Sequence, residues 1–249
     1  MSATSPAFAG SVSGALSGGP LITEGPGLLV MDVDSTLIEQ EVIELIAERA
    51  GTREQVAEVT ARAMRGELDF AASLRERVAT LAGVSEDVFA EVLAEVRPTA
   101  GAVELIEALH ARGCRVGVVS GGFEEVVVPL AERLGIDHVA ANRLEVDGGV
   151  LTGRVLGRIV DRQEKVHCLR TWAEQDGVPM ERTIAVGDGA NDLGMLAAAG
   201  LGVAFCAKPV VVEQADAAVH VRDLRAVLQL IGAGRAPSAR AGLSRACGR

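Results

Sequence analysis

Tyrosine is absent from the 249-residue chain, tryptophan occurs once and phenylalanine five times. So few rings leave little for nucleic-acid bases to stack on, and a formal net charge of −10 opposes a polyanionic partner. Nucleic acid is therefore not an expected partner. A substrate carrying a single phosphate remains compatible with the charge, because a metal ion and a few local cations override a global field. Cysteine is also sparse. Cys114, Cys168, Cys206 and Cys247 lie far apart, none in a CxxC pair or at metal-ligand spacing from a histidine. They read as reduced thiols of a cytoplasmic protein. No charge precedes Glu24, and neither a basic segment nor an apolar run opens the chain, which argues against a secretory signal. No uncharged apolar stretch is long enough to cross a bilayer, so no membrane association is expected.

Residues 1–26 are rich in Gly, Ser, Ala and Pro, a composition that does not repay the entropy of ordering, and are expected to form a disordered tail. Residues 233–249, with four arginines and no acid, are expected to form a second, basic one. Between them, short β-rich runs alternate with helical stretches: LLVMDV (28–33), CRVGVVS (114–120), TIAVGD (183–188), LGVAF (201–205) and AAVHV (217–221). Apolar strands separated by helices predict an α/β fold with a doubly wound parallel sheet, its core drawn from residues 27–39 and 98–232. NRLEV and VLTGRV flank Asp147-Gly148-Gly149, a turn sequence that predicts a hairpin.

Residues 40–97 break this alternation with helical patterns alone. Val42, Leu45 and Ile46 share one face before Gly51; Val56, Val59 and Ala63 repeat the pattern before Gly66. A third helix starts after Asp69, a suitable N-cap, with Phe70, Leu74, Val78 and Leu81 as its stripe, and a fourth runs from Val84 to Val96 before Pro98. A helical block inserted after the first strand of such a sheet lies over the carboxyl ends of the strands, where ligands bind. It reads as a small helical cap.

Three strands each deliver a polar residue at the carboxyl end: Asp32, Ser120 and Asp188. Singly, each has a structural reading as a strand-ending or helix-capping residue; together they converge on one crevice. In Asp32-Val33-Asp34-Ser35-Thr36 the two carboxylates, two residues apart on an extended chain, project to one side. Phosphate monoester hydrolysis needs one carboxylate ionised as nucleophile and another protonated for the departing oxygen. Asp32, Asp188 and a phosphate dianion together bring roughly four negative charges, which one Mg²⁺ and one lysine reduce to about −1. The charge balance therefore calls for Mg²⁺. In GDGANDLGM (187–195) Asp188 suits a direct metal ligand and Asp192 the orientation of metal-bound waters, while Asn191 or Asp192 also reads as an N-cap. Ser120-Gly121-Gly122 offers a hydroxyl and open amides to phosphoryl oxygens. Lys165, beside Arg158 and Arg162, carries no local signal, since a surface lysine is the default for such a position.

The series DxDxT, a strand-ending Ser, a Lys and GDGxND resembles the haloacid dehalogenase superfamily of phosphotransferases from about Leu28 to Ile231. More narrowly, DVDSTLIEQE, VVSGGF, ANRLEV, VGDGANDLGML and AFCAKP are similar to its phosphoserine phosphatase family. That resemblance implies hydrolysis of O-phospho-L-serine to L-serine and phosphate, the last step of serine biosynthesis, through an aspartyl phosphate. It makes Asp32 the nucleophile and Asp34 the acid/base, with Asp32, Asp188 and the Asp34 carbonyl as magnesium ligands. It places Ser120, Gly121 and Lys165 on the phosphate with Asn191 beside it. Glu41 falls to the substrate ammonium and Arg77 to its carboxylate, with Met64 and Phe70 shaping the wall. Arg77 has support of its own: seven positions from Phe70, it lies on the apolar side of its helix, where a guanidinium needs an anion or a path to the rim. Glu41 in a first helical turn is equally a response to the helix dipole.

Two other readings share these motifs. A phosphotransferase passing the phosphoryl group to an alcohol such as homoserine, or a phosphatase for another small phosphomonoester, uses the same aspartyl phosphate. A signalling receiver also has a phosphorylated Asp on a doubly wound sheet, but needs neither a cap nor a general acid two residues after the nucleophile.

Overall fold

Leu28–Met31 is apolar at every position and is buried on both sides, as expected of a central parallel strand. Leu29 and Met31 face one layer of the core, Leu28 and Val30 the other. The computed structural model describes residues 11–14 and 19–231, the side chain of Met64 excepted. In chain order its elements are β1 (Val12–Ser13), α1 (Pro20–Thr23), β2 (Leu28–Met31), α2 (Val42–Ala50), α3 (Arg53–Met64), α4 (Phe70–Ala79), α5 (Val88–Glu95) and α6 (Ala102–His110). There follow β3 (Arg115–Phe123), α7 (Glu124–Leu134), β4 (His138–Asp147), β5 (Val150–Leu156), α8 (Arg162–Gln175), β6 (Thr183–Gly187), α9 (Leu193–Ala198), β7 (Leu201–Phe205), α10 (Pro209–Val212), β8 (Ala217–Val219) and α11 (Val227–Leu230).

Among the described residues the sheet has eight strands in the order β1-β8-β7-β6-β2-β3-β4-β5, parallel except for the pairs β1/β8 and β4/β5 at its edges. Helices α6, α7 and α11 pack on one face, and α8 and α9 on the other, where Leu169, Trp172, Leu193 and Leu196 meet Val30 and Ala185. The chain moves outward from β2 through β3 to β4 and returns to the other side through β6, β7 and β8. Strand order therefore reverses beside β2, and the crevice of this α/β sheet opens at its carboxyl end.

The four helices α2 to α5 follow β2 without an intervening strand. Their boundaries have local causes. Gly51 ends α2 with φ 69°, a left-handed conformation that costs glycine no clash, and the Asp69 carboxylate accepts the Ala72 N–H to start α4.

One expectation needs correction. Residues 11–14 and 19–26 were assigned to a disordered tail, yet β1 pairs with the open edge of β8, and Leu21 is buried. Backbone pairing demands no large side chains, and burying one leucine contributes about 1.5–3 kcal/mol, so a small-residue composition did not prevent ordering. Residues 1–10, 15–18 and 232–249, which hold the rest of both expected tails and Cys247, lie outside the described set. The expected hairpin forms between β4 and β5, turning at Gly148-Gly149. β4 first runs parallel to β3, with Val118 opposite Val139, and only then turns antiparallel to β5 at Arg143–Asp147. No helix among the described residues is long and apolar enough to cross a membrane.

Candidate active site

Asp32 is the first residue beyond β2, and its N–H donates to the Val186 carbonyl of β6 at 2.9 Å, so the sheet itself sets its position. The chain then turns sharply through Ser35, a non-glycine residue at φ 57°, before reaching α2. Such a conformation costs of order 1–3 kcal/mol and is held by surrounding contacts. Here the Arg222 guanidinium donates to the Ser35 carbonyl at 3.2 Å, and the Ser35 hydroxyl donates to Glu41 Oε1 at 2.7 Å.

The turn brings Asp32 and Asp34 to the wall of one cavity of about 540 Å³, together with Glu41, Phe70, Arg77, Gly121, Asp188 and Asn191. Eight of the expected residues thus meet, drawn from the end of β2, the start of α2, α4, and the ends of β3 and β6. Two others stand behind the wall. Ser120 is fully buried; its hydroxyl accepts the Gly122 N–H at 2.8 Å and donates to Asp34 Oδ2 at 3.1 Å. Lys165, on α8, has 0 % exposure, with Nζ 2.5 Å from Asp32 Oδ1 and 2.7 Å from Asp192 Oδ1. The Met64 side chain lies outside the described residues.

Each carboxylate has a distinct environment. Burial pushes the Asp32 carboxyl well up, opposed by the Lys165 ammonium that binds one of its oxygens. Burial also raises Asp34, against the Val42 N–H on Oδ1 at 2.7 Å and the Ser120 hydroxyl on Oδ2. Asp188 is pushed up to about 6 by burial and then by the charge of Asp192. For Lys165 burial disfavours the charge, but Asp192 and Asp32 outweigh it and push the ammonium above its ordinary range.

Oxygens of Asp32, Asp188 and Asp192 lie within 4.8 Å of one another, three carboxylates against one ammonium. The donor set is all oxygen and carries excess negative charge, which fits a hard divalent cation. Both Asp192 oxygens are already engaged, Oδ1 by Lys165 and Oδ2 by the Gly189 N–H at 2.9 Å. Asp192 therefore suits orientation of neighbouring groups more than direct ligation.

At the other end of the cavity Glu41 is raised to about 7, first by burial and then by the charge of Asp34. Glu41 is nonetheless solvent-exposed on the cavity wall. Arg77 is half-buried and donates only to the Ser73 carbonyl, at 3.3 Å; it has no ion pair among the described residues. Burial disfavours its charge, and Glu41 and Asp34 support it.

Close approach explains both glycines after Ser120. A β-carbon on Gly121 would stand 3.0 Å from Phe70 Cζ, and one on Gly122 only 2.8 Å from Asp34 Oδ2. Sequence reasoning missed Asn142, fully buried, whose amide donates to the Gly121 carbonyl at 2.9 Å and whose oxygen accepts the Val160 N–H at 2.8 Å. Its position in a hairpin strand hid this brace. Arg162 and Lys208 on the cavity wall were missed as well.

A family model, haloacid dehalogenase-like hydrolase, matches residues 29–197. A phosphoserine phosphatase of Streptococcus thermophilus is 53% identical over 210 residues, covering 84% of this chain and 98% of that one. The chain belongs to the haloacid dehalogenase-like hydrolases, in their phosphoserine phosphatase family. Another phosphoserine phosphatase of this hydrolase family, from Streptomyces coelicolor, is 60% identical over 82% of the chain, which spans 50% of that protein's length. Among solved structures, a phospho-aspartyl intermediate analogue of phosphoserine phosphatase matches with TM-score 0.77 and 44% identity, covering 82% of this chain and 98% of that one.

Proposed function

We propose that this hydrolase converts O-phospho-L-serine to L-serine and phosphate, with Asp32 as nucleophile, Asp34 as general acid and base, and the helices α2 to α5 as a cap over the site. The observation that carries the substrate is the pairing, in one cavity with Asp32, of a carboxylate at Glu41 and a guanidinium at Arg77 that lacks an ion partner among the described residues. A zwitterionic amino acid offers the ammonium and the carboxylate that these two groups complement.

The chemistry follows from the partners of each carboxylate. Lys165 holds Asp32 Oδ1, favours its ionised form and leaves Oδ2 for attack on phosphorus. As the bond from phosphorus to the serine oxygen breaks, Asp34 gives that oxygen its proton; the raised affinity of Asp34 for a proton supports this. Ionised Asp34 then takes a proton from water, which attacks the phosphorus of the aspartyl phosphate, and Asp32 is released with inorganic phosphate. The Gly121 amide suits a phosphoryl oxygen, with Asn191 beside it, while the Gly122 N–H is held by the Ser120 hydroxyl. Asp32, Asp188 and the Asp34 carbonyl are the proposed ligands of Mg²⁺, with Asp192 orienting its surroundings. When bound, the ion supplies charge neutralisation and Lewis-acid polarisation of the phosphoryl group. Cytoplasmic location is part of the same proposal, supported by free thiols at Cys114, Cys168 and Cys206.

The test is phosphate release from phosphoserine, phosphoethanolamine, phosphoglycolate and other phosphorylated metabolites with Mg²⁺, repeated with homoserine present. Preference for phosphoserine with release to water is expected. A stronger preference for another phosphomonoester, or accumulation of phosphohomoserine, contradicts the assignment.

A further inference from the structure

Two cations on the cavity wall are used by nothing described so far. Arg162, in the first turn of α8, and Lys208, just before α10, both line the cavity beside Asp188 and Asn191. Both are exposed, whereas Asp32 is buried and Asp188 half-buried, so they stand at the solvent side of the reacting end. Neither has a hydrogen bond or ion pair from its side chain among the described residues, whereas half of the described arginines are paired with acids.

Their placement has structural causes. A β-carbon on Gly194 would meet Arg162 Cγ at 3.1 Å and Nε at 3.2 Å, so the bare glycine of α9 is what lets the arginine lie over that helix toward the cavity. Lys208 is carried there by Cys206, a non-glycine residue at φ 47° directly after β7. A left-handed cysteine stores of order 1–3 kcal/mol of strain, which is retained where the turn has a task.

We propose that Arg162 and Lys208 form an outer anion station, which captures the phosphate dianion of the substrate before it reaches Asp32 and receives phosphate on its way out. The need for one is electrostatic. A chain of formal charge −10 whose cavity wall carries Asp32, Asp34, Glu41 and Asp188 repels an approaching phosphate, and two free cations at the entrance reverse that field locally. The chemical class captured is a phosphate monoester dianion or inorganic phosphate. The kinetic part of this inference rests on the phosphatase reading above; the binding part does not.

A unit charge acting on a dianion at about 8 Å through water changes affinity about five-fold, and salt at about 0.5 M removes most of that. Lys208→Gln and Arg162→Gln are therefore each expected to weaken binding of inorganic phosphate to the Mg²⁺-loaded protein about five-fold at low salt by calorimetry, converging on wild type at high salt. For phosphoserine the same loss is expected in kcat/KM, with a flatter salt dependence and with kcat altered less than about two-fold. Unchanged phosphate affinity and salt slope in both variants overturn the station. So does a loss that persists undiminished at high salt or falls on kcat, because it places the cations in the chemical step. If phosphoserine is not turned over at all, the function assignment fails, while the phosphate calorimetry still decides the station.

Discussion

Replacing Arg77 by alanine removes the one guanidinium that faces the substrate end of the cavity without an acidic partner among the described residues. In the account above it binds the carboxylate of phosphoserine, and its truncation leaves that carboxylate unpaired in a closed site. Breaking a desolvated charge pair costs about 2–5 kcal/mol. Arg77 is half-buried and keeps its donation to the Ser73 carbonyl, so the lower part of that range applies. About 2–3 kcal/mol corresponds to a loss of roughly 30- to 150-fold in kcat/KM. Phosphoethanolamine, which has the ammonium and phosphate but no carboxylate, provides the control. Wild-type enzyme is expected to use it poorly, and the variant is expected to slow less than about three-fold on it, because no pair is lost. Steady-state assays of both enzymes on both substrates complete the comparison, with thermal melts to verify folding. Equal slowing of the two substrates refutes the assignment and makes Arg77 a structural residue.

Lys165→Ala leaves Asp32 and Asp192 buried without their shared cation, so a loss of about 3–5 kcal/mol in urea-unfolding stability is expected along with activity; stability within about 1 kcal/mol of wild type contradicts the buried triad. Glu41 binds its proton more tightly folded, at about 7, than unfolded, near 4.5, so the folded metal-free enzyme holds more protons across that window and loses stability as pH rises through it. Melts at pH 5 and pH 8 are expected to show a smaller drop for Glu41→Gln than for wild type, and equal drops contradict the raised proton affinity of Glu41. EDTA is expected to abolish phosphate release and Mg²⁺ to restore it, with Ca²⁺ a poor replacement because its looser coordination spoils in-line attack. Full activity after exhaustive chelation contradicts the charge argument.

Patterns confined to one element were legible in the sequence. The runs at β2, β6, β7 and β8, the stripe Phe70-Leu74-Val78 with its Asp69 cap, and the stop at Gly51 all depend on neighbours within a few residues. The Asp32/Asp34 pair was legible for the same reason. Features decided by distant partners were not. Lys165 looks like a surface lysine until α8 carries it to Asp32, 133 positions away, where it becomes a buried counter-ion of that carboxylate. Asn142 was hidden by its place in a hairpin strand, since its role depends on Gly121 and Val160. β1 was invisible because its partner is the open edge of β8, more than 200 residues later, and backbone pairing leaves no mark on composition. Glu41 and Arg77 were ambiguous as single residues, and what the sequence did not show is that both line one cavity with Asp32 and Asp34.

The central claim is that the phosphoryl group passes through Asp32, and direct trapping tests it. Enzyme mixed with Mg²⁺ and ³²P-labelled phosphoserine, quenched in acid within milliseconds and digested, is predicted to carry the label as an acid-stable, base-labile acyl phosphate on the peptide containing Asp32. Asp32→Asn is predicted to carry none while remaining folded. Label on Ser120, or turnover without any phosphoenzyme under conditions where its breakdown limits the rate, contradicts the mechanism.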